Sequence, residues 1–235
     1  IENEELMVIY GDYDVDGISP RPFCTNVSPA RAHTSAASCY PRLRLRSDTR
    51  GAGIAGVQGF KLVVTVDNGI SAVEEAACAK ELGLDLIITD HHLPGDTLPD
   101  AIAVVDPKRP DDESPFKDLC GAGVAFKLCA ALEGCDPAEL LEMYGELAAP
   151  GHGGRRHAAG GENRTIVREG LPLLQDTMRP GLHALLESAG CGGKPVTADT
   201  VSYSLAPRLN AAGRMDNAAV ALKLLLCGDE DQPPA

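Results

Sequence analysis

Asp90-His91-His92 gathers a carboxylate and two imidazoles in consecutive positions. These groups bind metals or move protons, and they stand where the apolar run Leu84-Asp85-Leu86-Ile87-Ile88, read as a buried strand, should end. In an open parallel sheet, the carboxyl ends of strands are where ligands bind. Two acidic segments lie upstream. In Gly11-Asp12-Tyr13-Asp14-Val15-Asp16-Gly17 the carboxylates alternate, which on extended backbone puts them on one side, as coordination of a hard cation requires. Asp67-Asn68-Gly69 closes a second apolar run. Oxygen and imidazole donors without thiolate suit Mn2+ or Mg2+ better than a Cys-rich zinc site. Two such ions about 3.5–4 Å apart would activate water and steady the leaving oxygen in a phosphoester displacement. The competing reading is a nucleotide-binding α/β domain with acidic loop ends and no hydrolysis. An EF-hand loop does not fit, because Phe23 stands where its Glu belongs. Toward the other end, Arg208 and Arg214 beside Asn210 suit an oxyanion or phosphate clamp, set against ordinary capping and surface pairing.

These residues need a frame. Leu6–Tyr10 and Lys61–Val66 read as buried strands. Ser71 with Glu74 forms a capping box for a helix that stops at Gly83, before the 84–88 strand. Residues 61–92 are therefore a βαβ unit whose parallel strands bring Asp67 and His91 together. Ala101–Val105 is a further strand, closed by the turn Asp106-Pro107. Helices are expected over 121–133, after the cap Asp136-Pro137, and over 165–174, 179–189 and 218–226. The expected class is α/β, a mainly parallel sheet with helices on both faces.

The net charge of −13 argues against a broad basic surface for non-specific nucleic-acid binding. It leaves a nuclease open, because bound cations reverse the local sign at a carboxylate site. The 8 Cys are irregularly spaced with no C-x-x-C pair, which points to reduced thiols in a cytoplasmic protein rather than zinc. No signal peptide is visible, and no apolar run approaches the ~20 residues of a membrane span.

Two segments break the pattern. Residues 19–59 carry Pro20, Pro22, Pro29 and Pro41 and six Arg against the single acid Asp48, without helical or strand period. A structureless stretch of that length inside a compact domain is improbable. Residues 149–160 are rich in Gly, His and Arg, and His152 and His157 lie there without a rigid frame for a metal.

The Asp90-His91-His92 turn, the Gly-Asp-Tyr-Asp-Val-Asp-Gly segment and Val66-Asp67-Asn68-Gly69 resemble the DHH phosphoesterase superfamily. Within it the chain resembles the RecJ family of single-strand-specific 5′→3′ DNA exonucleases. Gly121–Lys127, Gly161-Glu162-Asn163-Arg164 and Leu205–Arg214 extend the likeness. The resemblance implies a DHH domain over 1–228, a tail at 229–235, and a two-ion site of Mn2+ or Mg2+ acting on single-stranded DNA in repair and recombination, with no membrane partner. It implies Asp12, Asp14 and Asp16 as the first metal motif, Asp14 and Asp16 foremost. Asp67 would bridge the ions and His91 would be a ligand. His92 would lie near the scissile phosphate, and Asp90 would orient the cluster. Arg208, Asn210 and Arg214 match the nucleic-acid-facing end. The chain stops at Ala235, before the family's second domain, which is expected to be absent from it, so the charge fits a catalytic half without its basic companion.

The departures carry expectations too. The family has a helix and strand where 19–59 stands, and a further metal-binding Asp where 149–160 holds no acid. Both segments read as out-of-frame translations, and weak or no exonuclease activity is expected of this chain. A DHH enzyme for a small substrate (pyrophosphate, a cyclic dinucleotide or a very short RNA) and a non-catalytic binding module are the other readings.

Overall fold

The computed structural model describes residues 7–27, 60–153, 160–214 and 218–227. Four strands form its sheet: β1 (Met7–Gly11), β2 (Leu62–Val66), β3 (Asp85–Thr89) and β4 (Ala103–Val105). Their spatial order is β1-β2-β3-β4 and every pairing is parallel. The α/β class and parallel sheet read from the sequence are therefore present.

Short apolar runs become strands here because both sheet faces are covered. Alternate residues serve opposite faces. Val8, Val63, Leu86 and Ile88 pack on Ala76 and Ala79 of α3 (Val73–Glu81). Met7, Ile9, Val64 and Val66 face the larger core. That core includes α1 (Val15–Ile18), α2 (Arg21–Val27), α4 (Gly121–Glu133), α5 (Pro137–Gly151), α6 (Gly161–Gln175) and α7 (Pro180–Ser188). The chain then runs through α8 (Ala198–Thr200), a π-helical stretch Val201–Leu205 and α9 (Ala206–Arg214), and α10 (Ala218–Leu226) packs on α9 and α7. No helix among the described residues is long and apolar enough to cross a membrane.

Local chemistry sets the boundaries. Asp136 accepts a hydrogen bond from Ala138 N at 2.8 Å and Pro137 opens α5, as the sequence suggests. Gly134 ends α4 in the left-handed conformation, φ 64°. The capping box at Ser71 and Glu74 is not formed. Ala72 N bonds back to Gly69 O, so a turn occupies residues 69–72, and α3 starts at Val73 without a side-chain cap.

Parts of both pattern-breaking segments are helical among the described residues. Residues 21–27 are helical, because Pro20 and Pro22 fall before and within the first turn, where no intrahelical N–H is required. Phe23 is buried edge-on against Phe126, with ring centroids 6.1 Å apart. The second segment begins inside α5, with Ala149, Pro150 and Gly151 buried, and α6 starts at Gly161 rather than Thr165. His152 is also held, its Nδ1 2.7 Å from Ala148 O and its ring wholly buried. Residues 28–59, and 154–159 with His157, lie outside the described residues.

Candidate metal centre

Each strand is followed by an aspartate. Gly11, Val66, Thr89 and Val105 end the strands, their register pairs Gly11 with Val66, Val66 with Thr89 and Thr89 with Val105, and the next residues are Asp12, Asp67, Asp90 and Asp106. Backbone bonds carry the ladder one step past the sheet: Asp12 N to Val66 O, Asp67 N to Thr89 O and Asp90 N to Val105 O. Parallel register thus lines four carboxylates along one sheet edge. At Asp67 the chain leaves with φ 62°, the left-handed region that Asp tolerates better than most residues. Thr65 Oγ1 donates to Asn68 O at 2.7 Å and holds that turn.

The first acidic segment is not extended throughout. Asp12 Oδ1 accepts from Tyr13 N at 2.7 Å, and α1 begins at Val15, so Asp16 sits in a helical turn. Two donor sets result. Asp12, Asp14 and Asp67 offer oxygens within 4.8 Å of one another, and so do donor atoms of Asp67, His91 and His92. Asp67 belongs to both. Asp16 approaches the second set, with Oδ2 3.8 Å from His91 Nε2. His91 Nε2 comes within 3.0 Å of Asp67 Oδ1, but the contact lacks hydrogen-bond alignment, and Asp67 Oδ1 and Asp14 Oδ1 are buried without a hydrogen-bond partner. Buried carboxylate oxygens left this way are costly unless a cation completes them. The donors present fit divalent ions bound by oxygen and imidazole.

Asp90 is committed differently. It is buried, and its carboxylate accepts from Ile70 N at 2.9 Å, His91 N at 2.7 Å and His92 Nδ1 at 2.7 Å. Burial works against its charged form, but the bonds from His92 and Ile70 outweigh it and lower the carboxyl below its usual range. The same bond to Asp90 raises His92, whose side chain is 59% exposed. Asp12 is pushed up to about 6 by burial and by Asp14. Burial, then neighbouring carboxylates, also raise Asp16 and Asp67.

These raised carboxyls make a prediction for the metal-free domain. A carboxyl higher in the folded than in the unfolded state binds extra protons on folding, so its stabilisation is present below about pH 4 and lost as pH rises through its folded value. In chelator, the part of the melting temperature due to this cluster should fall as pH rises from about 4 through the Asp12 value of about 6. Saturating Mn2+ should flatten that slope. Thermal denaturation against pH, with and without the ion, checks both; a metal-free slope unchanged by Asp67→Asn would refute the assignment to this cluster.

The profile of the DHH family, N-terminal domain, matches residues 6–151. This chain belongs to the DHH family. It is 42% identical over 231 residues to the single-stranded-DNA-specific exonuclease RecJ of Bacillus subtilis, covering 97% of this chain and 29% of that protein. It is 35% identical over 244 residues to RecJ of Escherichia coli, covering 94% of this chain and 41% of that protein. The chain thus spans less than half the length of these relatives. The crystal structure of RecJ from Thermus thermophilus in complex with Mn2+ superposes with a TM-score of 0.77 at 33% identity, covering 97% of this chain and 33% of that one. A structure of exonuclease RecJ bound to manganese gives 0.78, also at 33% identity, covering 96% of this chain and 57% of that one.

Around the DHH turn, a cavity of about 620 Å³ opens between Asp12, Asp67, Asp90, His92 and the first turn toward α3. Of the three C-terminal candidates, Asn210 reaches the acidic segment, where its Oδ1 accepts from Val15 N at 2.8 Å. Arg208 is exposed and donates to Ser204 O within its own helical turn at 2.7 Å. Arg214 ends α9, and its side chain lies outside the described residues.

Four residues of the DHH site escaped the sequence reading. Asp106 is buried at the end of β4, with Oδ1 accepting from Lys108 N and Oδ2 unpartnered, and burial raises it to about 6. Its signal was the strand-then-Asp pattern repeated a fourth time. Arg21, counted among the basic residues of an irregular stretch, is 1% exposed and donates to the carbonyls of Gly11 and Asp12. Asn163 bonds Cys120 N and Asp118 O across the start of α4. Gly121 opens α4 against Asp67: a Cβ there would lie 2.4 Å from Asp67 Oδ1. The Gly121-Ala122-Gly123 run announced close packing, though not its target.

Proposed function

We propose that this DHH domain is the catalytic part of a divalent-metal-dependent exonuclease that hydrolyses phosphodiester bonds of single-stranded DNA, acting in the cytoplasm in DNA repair and recombination. The observation that carries the reading is the Asp67 carboxylate, shared between the two donor sets, with a buried oxygen that accepts no hydrogen bond. Asp12, Asp14, Asp16, Asp67 and His91 hold Mn2+ or Mg2+, the ions found in the similar RecJ structures. Bound there, the ions lower the pKa of water and neutralise charge developing on the phosphate. His92 donates from Nδ1 to Asp90, which fixes its tautomer and leaves the exposed ring to face a phosphate oxygen in the cleft. Asp90 orients His92 and the 69–72 turn through the same carboxylate. Arg208 and Arg214, on α9, meet the nucleic-acid backbone by charge.

The DHH domain occupies 1–228, with a tail at 229–235, and the frameshift reading of 19–59 and 149–160 extends to function. No acid stands in 149–160 to supply the remaining ligand, so the purified chain should turn over weakly or not at all. Two tests separate the parts of this reading. Translating the gene in all three frames should give an apolar helix-strand pattern for 19–59 and an Asp for 149–160; without them the frameshift reading fails. Robust Mn2+-dependent release of nucleotides from single-stranded DNA, lost in Asp67→Ala, would overturn the expectation of weak turnover. Preferential hydrolysis of pyrophosphate, a cyclic dinucleotide or a very short RNA would replace the DNA substrate. Absence of Mn2+ binding by calorimetry would remove the metal reading itself.

A further inference from the structure

We infer that Asn210 is a positioning residue of the metal site, clamping the segment that carries Asp14 and Asp16, rather than a contact to substrate. The inference rests on the metal-site reading above and adds a role to it. Val15 stands between the two carboxylates and is the first residue of α1. Its N–H is one of the groups at a helix start that have no partner inside the helix. Asp14 occupies the N-cap position but makes no side-chain cap bond. The start of this four-residue helix is instead held from outside, by Asn210 Oδ1 at 2.8 Å across a separation of 195 residues. Asp14 Oδ1 stays buried and unpartnered, available to a cation.

The helix that presents Asn210 is seated for this task. Leu205, Ala206 and Leu209 are buried in the main core, and Asn210 follows Leu209 at its edge. The π-helical stretch Val201–Leu205 directly before α9 turns the chain less per residue than an α-helix, so it resets which face α9 offers to α1. Arg208 lies two residues from Asn210, about 200° around the helix, and its guanidinium bonds Ser204 O instead. One short helix thus splits its work: Asn210 faces the acidic segment while Arg208 faces solvent.

The test compares Asn210→Ala, Asn210→Asp, Asn210→Gln and Arg208→Ala. It uses Mn2+ titration calorimetry, melting temperature, and hydrogen exchange at the Val15 amide in metal-free protein. Asn210→Ala should weaken Mn2+ binding by about 10–100-fold, the usual loss when a group supporting a metal ligand is removed, and should speed Val15 exchange. Asn210→Asp keeps the acceptor oxygen and should retain most of the affinity. Asn210→Gln carries the same amide one methylene too far and should not, and the Asp–Gln comparison decides the matter if the Ala variant fails to fold. Arg208→Ala should bind Mn2+ as the unmodified chain does. Unchanged Mn2+ affinity in a folded Asn210→Ala, or weakened binding of single-stranded DNA with Mn2+ affinity intact, would overturn the inference. If the unmodified chain binds no Mn2+, the metal-site reading fails, while unchanged Val15 exchange in Asn210→Ala would show separately that the clamp is absent.

Discussion

Asp67→Asn should produce a domain that is more stable than the unmodified chain in chelator and that no longer holds Mn2+. Asp67 is 2% exposed and lies among Asp14, Asp16 and Asp90, so its charged form is opposed first by burial and then by like charges. Asn has the same shape, carries no charge and accepts the left-handed conformation at φ 62°, so the backbone turn survives. The stability gain should grow as pH rises. At low pH the unmodified carboxyl is protonated and differs little from an amide; above its raised folded value it is a buried anion among like charges. The metal result has the opposite sign. Both donor sets lose their common member, and the loss in Mn2+ affinity should exceed the ~10–100-fold cost of disturbing a supporting group. Melting curves in chelator and titration calorimetry at neutral pH read the two effects independently. A variant less stable at every pH, or one binding Mn2+ normally, would show that Asp67 is not the shared ligand.

Gly121→Ala should cost both stability and metal affinity, although in helix interiors Ala is favoured over Gly by ~1 kcal/mol. Gly121 is the first residue of the 13-residue α4, and its ideal Cβ would stand 2.4, 2.5 and 2.6 Å from Oδ1, Cβ and Cγ of Asp67. The obstacle is a short side chain with its root in a strand end, so little of it can swing away. Overpacking of this kind costs about 1–3 kcal/mol. The α4 side is pinned as well, because Asn163 holds Cys120 N and Asp118 O across 43 and 45 residues. The relief available is displacement of Asp67, so Mn2+ affinity should fall about tenfold or more. Chemical denaturation gives the first quantity and calorimetry the second. Gly121→Ala with unimpaired Mn2+ binding would mean that the Asp67 carboxylate tolerates another position.

What could be read from the sequence divides along chain distance. Asp67 and His91 were paired from the 61–92 pattern because a βαβ unit is local and its handedness and direction are constrained. The strands begin and end within about two residues of their apolar runs. The spacing of Asp12, Asp14 and Asp16 announced metal chemistry but not conformation, since a helix start at Val15 is stabilised by Asn210 from the far end of the chain. Asn163 and Gly121 were invisible as site residues for the same reason. Asp106 failed differently. Asp before Pro reads as a turn, and only the register of all four strands shows it as the last carboxylate of a row. Arg21 and residues 21–27 went against composition, because proline punctuation ends helices except in their first turn.

The hydrogen bond between Val15 and Asn210 also orders events in time. During synthesis from the amino end, the strands bearing Asp67 and His91 are complete more than a hundred residues before α9 exists. Local contacts between β2, α3 and β3 form early at small loop entropy, whereas the closure across 195 residues waits for the carboxyl-terminal helices. A nascent domain therefore has Asp67 and His91 in place before Asn210 holds the Asp14–Asp16 segment. Under the metal-site reading proposed above, metal capture at full affinity would come late, only when both ends of the domain have met.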